Sequence, residues 1–167
     1  MSEATVDTSV FDGFRGAMRR MASSVSVITT VNGDAHHGMA ATSVSSLSFS
    51  PPSLLVCINR NITMHDAVKM AGVFCVNILG ETHGDVCDAF GGKLNGAERF
   101  TIGGWLDHDT GLRYLPDAAA SIFCKLDATF EYGTHTICVG LVEKVILGEE
   151  GAPLLYREGG VGGFRRF

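Results

Sequence analysis

The apolar positions of this chain fall into short strand-like runs, some alternating with polar residues and some continuous, with helical patterns confined to three segments. Phe11, Phe14, Met18 and Met21 recur at helical spacing, and Ser9 with Asp12 three positions on resembles a capping box, so an amphipathic helix is expected first. "SSVSVITTV" then puts Val25, Val27, Thr29 and Val31 on one face of a strand, and Asn32-Gly33-Asp34 signals a two-residue hairpin into a second strand. Ser53 to Arg60 and Val73 to Leu79 are short apolar runs rich in β-branched residues, as buried strands are. Between them Thr63 is the expected N-cap of a short helix with Asp66 in its first turn, and "THGDVCDAF" predicts another. Residues 91 to 116 are rich in glycine and form a long excursion that Trp105 is expected to anchor to the body.

Two long strands follow, "SIFCKLDATFEY" and "HTICVGLVEKVIL", joined by a tight Gly133-Thr134 corner, with Ile137, Val139 and Leu141 sharing one face of the second. "GEEG" makes a turn and "PLLY" a last strand. Many strands at hairpin spacing with only short helices predict a mainly β protein built as a closed antiparallel barrel. A length of 167 residues with 46% hydrophobic composition suits one core, so a single domain is expected over residues 9–167, behind a mobile tail at residues 1–8.

Charge and composition narrow the function classes. A formal charge of -5 with acids and bases mixed along the chain leaves no basic stripe for a phosphate backbone, so no nucleic-acid partner is expected. The apolar runs are far shorter than the ~20 residues a membrane-spanning helix needs, and "MSEATVDTSV" lacks the regions of a signal peptide, so a soluble, cytoplasmic protein is expected. Cys57, Cys75, Cys87, Cys124 and Cys138 show no metal-type spacing and read as reduced thiols, most of them small hydrophobes in strands. His36 and His37 are adjacent and the other histidines stand alone, so no metal site is expected.

The chemistry-bearing candidates are few. A Rossmann fingerprint is absent, because "GGVGGF" lacks the spacing and cannot be followed by a helix, and a Walker A loop is absent too. The informative run is "HGMAATSVSSLSFSPPSLLVCINRNITM", with Thr42, Ser43, Ser45, Ser46 and Ser48 just before a double proline. By composition it reads as a loop. Small side chains there also let a backbone approach a ligand, and hydroxyls and N–H groups can hold a phosphate without a glycine-rich motif. His135, at the head of "HTICVG", is the other candidate, since a hairpin corner presents its side chain to solvent.

"FRGAMRRMASSVSVITT", the serine-rich run through "LLVCINRN", "GVFCVNIL", "AFGGKLNGAERFTIGGW", "YGTHTICVG" and "PLLYREGG" resemble, in this order, the short-chain flavin reductase family. The likeness is strongest to the reductase components of two-component aromatic monooxygenases such as those acting on 4-hydroxyphenylacetate or chlorophenol. The resemblance implies a six-stranded split β-barrel that pairs as a homodimer with flavin near the interface. It implies an NAD(P)H:flavin oxidoreductase that reduces FAD or FMN and supplies the reduced flavin to a flavin-dependent monooxygenase. The segment Ala41, Thr42, Ser43, Val44, Ser45 and Ser46 would lie along the flavin, and the strand end Cys57, Asn59, Arg60 and Asn61 would approach its phosphate and ribityl chain. Arg60 suits a charge-assisted bond to phosphate. Thr30 and Phe90 are further candidates. His135 would stand by the flavin ring, where an imidazole can hydrogen-bond the nicotinamide carboxamide or offset charge on reduced flavin.

Three departures from the family pattern stand out. Thr134 replaces the commoner Asp of a Gly-Asp-His corner, which favours positioning by His135 over proton transfer. Phe90-Gly91-Gly92 replaces Phe-Ala-Gly, and the ending "GGVGGFRRF" is variable in the family. FAD against FMN, and NADH against NADPH, stay open at this level. So do two rivals: a tightly bound flavin carrier or sensor on the same barrel, and an oxidase of the pyridoxamine-phosphate type.

Overall fold

The computed structural model describes residues 7–167. The tail expected at residues 1–8 therefore lies mostly outside the described residues, and its last member, Thr8, already opens a helix. Helix α1 spans Thr8–Arg20 and is capped by Asp7, whose carboxylate accepts the Ser9 N–H at 2.9 Å. Ser9 is thus inside the first turn rather than the cap, because Asp7 reaches the same orphan donors from one step further out. The helix buries none of its residues, and the apolar stripe of Phe11, Phe14 and Met18 is exposed. Its C-terminal end is held by Arg19, whose carbonyl accepts from Glu158 N–H at 2.8 Å while its guanidinium donates to the Glu158 carbonyl at 3.1 Å.

Strands β1 (Ser23–Ser24), β2 (Ser26–Asn32), β3 (Ala35–Ala41), β4 (Val44–Phe49) and β5 (Pro52–Asn59) lead to helix α2 (Thr63–Ala71). Then come β6 (Val73–Ile78), helix α3 (Gly84–Asp88), two short helical turns over Ala89–Lys93 and Gly96–Thr101, and β7 (Leu106–Asp107) and β8 (Arg113–Tyr114). The long pair β9 (Ala120–Tyr132) and β10 (His135–Leu147) is followed by β11 (Leu155–Arg157) and β12 (Gly160–Gly162). The expected N-cap role of Thr63 passes to Ile62, which offers no side-chain bond. The expected final strand β11 is followed by β12, turned by Glu158 and Gly159, both at positive φ.

The main sheet is antiparallel throughout and runs β3-β2-β6-β9-β10-β5-β4. It has seven strands where the family resemblance implies six, and no ladder joins its edge strands β3 and β4, so the expected hydrogen-bonded closure is not seen. The physical reason lies in the serine-rich run, which is a strand and not a loop. Val44, Ser45 and Ser46 pair with Val56, Leu55 and Leu54, which makes β4 an edge strand at the far end of the sheet from β3.

Both faces of β2 are buried, each against a different cluster. Ile28 joins Leu54, Val56, Ile58, Phe74, Val76 and Cys138 inside the curled sheet. Val25 and Val27 join Leu79, Val86, Phe90, Phe100 and Leu115 on its other side, under the excursion. Trp105 anchors that excursion as expected, donating Nε1–H to the Ile102 carbonyl at 2.7 Å, with its ring centroid 5.1 Å from that of Phe90. In β10 the buried positions are Thr136, Cys138 and Gly140, while Ile137, Val139 and Leu141 lie half-buried on the outer face. A Cβ on Gly140 would come within 2.5 Å of the Phe74 ring, so only glycine fits that crossing.

Candidate functional site

Residues directly opposite in an antiparallel ladder share a face, so the register of β5, β10 and β9 lays out the sheet's outer surface rung by rung. Asn59, His135 and Tyr132 form the rung at the corner. Cys57, Ile137 and Phe130 form the next, and Leu55, Val139 and Ala128 the one after, continued onto β4 by Ser45. Phe130 is 61% and Tyr132 84% exposed, which makes this an apolar face with a polar end at His135 and Asn59.

The corner itself is tied down. His135 Nδ1 lies 2.8 Å from the Thr134 hydroxyl. The Arg60 amide donates to the Thr134 carbonyl at 3.0 Å and its guanidinium donates to the Gly133 carbonyl and, at 3.1 Å, to Glu131. Lys69 of α2 reaches the other Glu131 oxygen at 3.4 Å. The Lys69 hydrogen bond, then the charges of Lys69 and Arg60, hold the Glu131 carboxyl below its ordinary value. Arg60, expected at a phosphate, is therefore committed to the hairpin corner. Asn59 is also engaged locally, accepting the Asn61 N–H on its side-chain oxygen at 2.9 Å to turn the chain toward α2.

That turn brings α2 to a polar cavity of about 160 Å³ lined by His36, His37, Gly38, Thr63, Asn95 and Arg99. Arg99 donates to the Gly38 carbonyl at 2.6 Å and to the Leu94 carbonyl at 2.8 Å, fixing a cation at the cavity wall. His36 Nδ1 is buried there without a partner. Burial, then the charge of Arg113, holds the His36 imidazole below its usual range. Helix α2 has no side-chain cap, and its first residues, Thr63 and Met64, line the cavity. His36, His37, Thr63, Asn95 and Arg99 were missed in the sequence because they come from β3, α2 and the excursion. Their one local signal was "NGAERF", a charged insert in a glycine-rich stretch.

The serine-rich run divides between two cavities. Val44, Ser46 and Ser48 line an apolar cavity of about 400 Å³ with Leu54, Ile78, Ile122 and Val142. Thr42 and Ser43 line a cleft of about 500 Å³ beneath Phe11, Phe14, Met18 and Tyr156. Ser43 donates to the Cys57 carbonyl at 2.9 Å and Ser45 to the Ser46 carbonyl at 3.2 Å, so these hydroxyls serve the local backbone. Ala41 is in the core. Thr30 is 1% exposed and donates to the Val73 carbonyl at 2.6 Å, and Phe90 is 3% exposed against Phe100 and Trp105. Both hold the body together and present no open face.

Comparison with known proteins identifies the family. Residues 18–165 match the model of the flavin reductase like domain, and the chain belongs to that family. It is 44% identical over 149 residues to the reductase component of the FADH(2)-dependent resorcinol hydroxylase of Rhizobium sp. (strain MTP-10005), covering 88% of this chain and 83% of that one. It is 40% identical over 139 residues to the FMN reductase (NADH) RutF of Agrobacterium fabrum, covering 82% and 80%. Among solved structures, the NADH:FAD oxidoreductase SgcE6 of Streptomyces globisporus, in complex with NAD and FAD fragments, superposes with a TM-score of 0.85 at 25% identity, covering 98% of this chain and 96% of that one.

Proposed function

We propose that this chain is an NAD(P)H:flavin oxidoreductase that reduces FAD or FMN and supplies the reduced flavin to a monooxygenase partner. The observation that carries this reading is the outer face of β5, β10 and β9, apolar along Leu55, Cys57, Phe130 and Ile137 and polar where Asn59 and His135 end it. Such a surface matches a planar aromatic ring with a polar edge. The polar cavity of His36, His37, Thr63 and Arg99, with a guanidinium at its wall and a helix start beside it, suits a phosphate group. The flavin, when bound, supplies the ring that accepts the hydride. The protein's part is to align two rings and keep water away, which needs no nucleophile.

The exposed apolar outer face and the unburied stripe of α1 support a homodimer that covers both. The curled seven-stranded sheet, open between β3 and β4, supports assignment to the split-barrel class, and a cytoplasmic location accords with a reduced-thiol chain.

The test is loss of NADH absorbance by the purified protein with and without FAD, FMN or riboflavin, and with NADPH as alternate donor. Oxidation that requires added flavin is expected. No oxidation with any pair, together with flavin that copurifies, would transfer the reading to a bound-flavin carrier.

A further inference from the structure

His135 has one ring nitrogen spoken for and one open. Nδ1 lies 2.8 Å from Thr134 Oγ1, and Nε2 has no partner among the described residues. A neutral imidazole carries one N–H and one lone pair, and what meets one nitrogen decides which of them the other shows. A hydroxyl can either donate to Nδ1 or accept from it, whereas a carboxylate could only accept. Position 134 therefore controls the polarity of the exposed edge of His135.

The hydroxyl is held in place by a corner that is fixed from three directions. The Arg60 amide grips the Thr134 carbonyl at 3.0 Å, and the Arg60 guanidinium spans the Gly133 carbonyl and Glu131. Lys69 braces Glu131 from α2 at 3.4 Å. On the buried side of the strand, Thr136 is bonded to His65 at 3.0 Å. The backbone on either side of His135 is thereby held, and within that frame Thr134 Oγ1 and His135 Nδ1 meet. The contact with Nδ1 is the hydrogen bond that the Thr134 hydroxyl makes among the described residues.

We propose that Thr134 is a positioning residue whose hydroxyl donates to Nδ1, places the imidazole proton on Nε2, and so presents a neutral N–H donor at the polar end of the outer face. An N–H donor there recognises a carbonyl oxygen, either the carboxamide of a nicotinamide or a ring carbonyl of the flavin. This use of the donor rests on the flavin-reductase reading, while the proton's location does not.

The experiment is long-range proton–nitrogen correlation on the intact protein with ¹⁵N-labelled histidine, at mildly alkaline pH and without ligands. His135 should carry its proton on Nε2 in the native protein and in Thr134→Ser, show a mixture in Thr134→Val, and carry it on Nδ1 in Thr134→Asp. A proton on Nδ1 in the native protein, or an unchanged spectrum in Thr134→Val, overturns the proposal. In the flavin-dependent assay Thr134→Val should raise KM for NADH about fivefold, the loss of a hydrogen bond of ordinary net strength, with Thr134→Ser restoring it. If the native protein shows the Nε2 proton but oxidises no NADH with any flavin, the corner assignment stands and the reductase reading falls.

Discussion

The buried imidazole of His65 meets the hydroxyl of Thr136 at 3.0 Å, one residue from His135 and on the opposite face of the same strand. The other nitrogen of His65 is 2.8 Å from Asp66. Helix α2 is thereby bonded to the floor of the candidate site, just as Lys69 bonds it to the rim. Replacing Thr136 with Val keeps the shape and strands a buried nitrogen, which costs about 1–3 kcal/mol. Urea unfolding should show that loss with an unchanged slope; a loss under about 0.5 kcal/mol, the range of neutral surface changes, would mean the bond contributes little.

His135→Ala separates function from folding. The side chain is exposed, so stability should stay within about 0.5 kcal/mol of the native value. Flavin-dependent kcat/KM for NADH should fall about tenfold, equivalent to one hydrogen bond of ~1.4 kcal/mol. Unchanged kcat and KM together would remove His135 from the site.

The thiols divide by depth. Burial pushes Cys124 up to about 12 and Cys138 up to about 11, and Cys75 is raised still further by the same cause. The thiolate is the reactive species, so these three should resist alkylation in the folded protein. Cys57 and Cys87 are half-buried and should label ahead of these three, with Cys87 slowed by burial and the Asp88 charge, which raise its thiol too. Because Cys57 lies on the outer face beside Ile137 and Phe130, added flavin should slow its labelling and leave Cys87 unaffected. Mass spectrometry of the labelled peptides checks both statements; equal protection of the two thiols would argue against flavin on that face.

Glu131 gives the corner a pH limit. Its carboxyl is depressed in the fold, by the Lys69 hydrogen bond first, so the clamp is complete above the ordinary carboxylate value. It is lost as pH falls through the lower, folded value. The Gly133 amide shift should follow this titration with a midpoint below the ordinary 4.5, and Glu131→Gln should abolish it. A midpoint at or above 4.5 would show that Arg60 and Lys69 do not hold the carboxylate in solution.

Much of the strand pattern was legible in the sequence because it is local. The Gly33-Asp34 and Gly133-Thr134 turns, the alternation of β2 and the helical spacing of α1 each depend on neighbours a few residues apart. The place of His135 was legible too, as a histidine at the head of the strand that follows a hairpin turn. The sequence also carried the misleading signal of a serine-rich loop, since hydroxyl content does not reveal that Val44 and Ser46 can ladder against Val56 and Leu54.

What only the tertiary structure decided is which residues meet. That the Arg60 guanidinium meets Glu131, 71 residues away, appears only in the folded chain. Thr30 stands as a flavin candidate in the sequence, and only the fold shows it 1% exposed and donating to the Val73 carbonyl. The cavity of His36, Thr63 and Arg99 is assembled from three distant segments, none of which carries a motif. Local periodicity fixes which side a residue faces, but long-range packing fixes what stands there, and a site made of partners far apart in sequence exists only once that packing is complete.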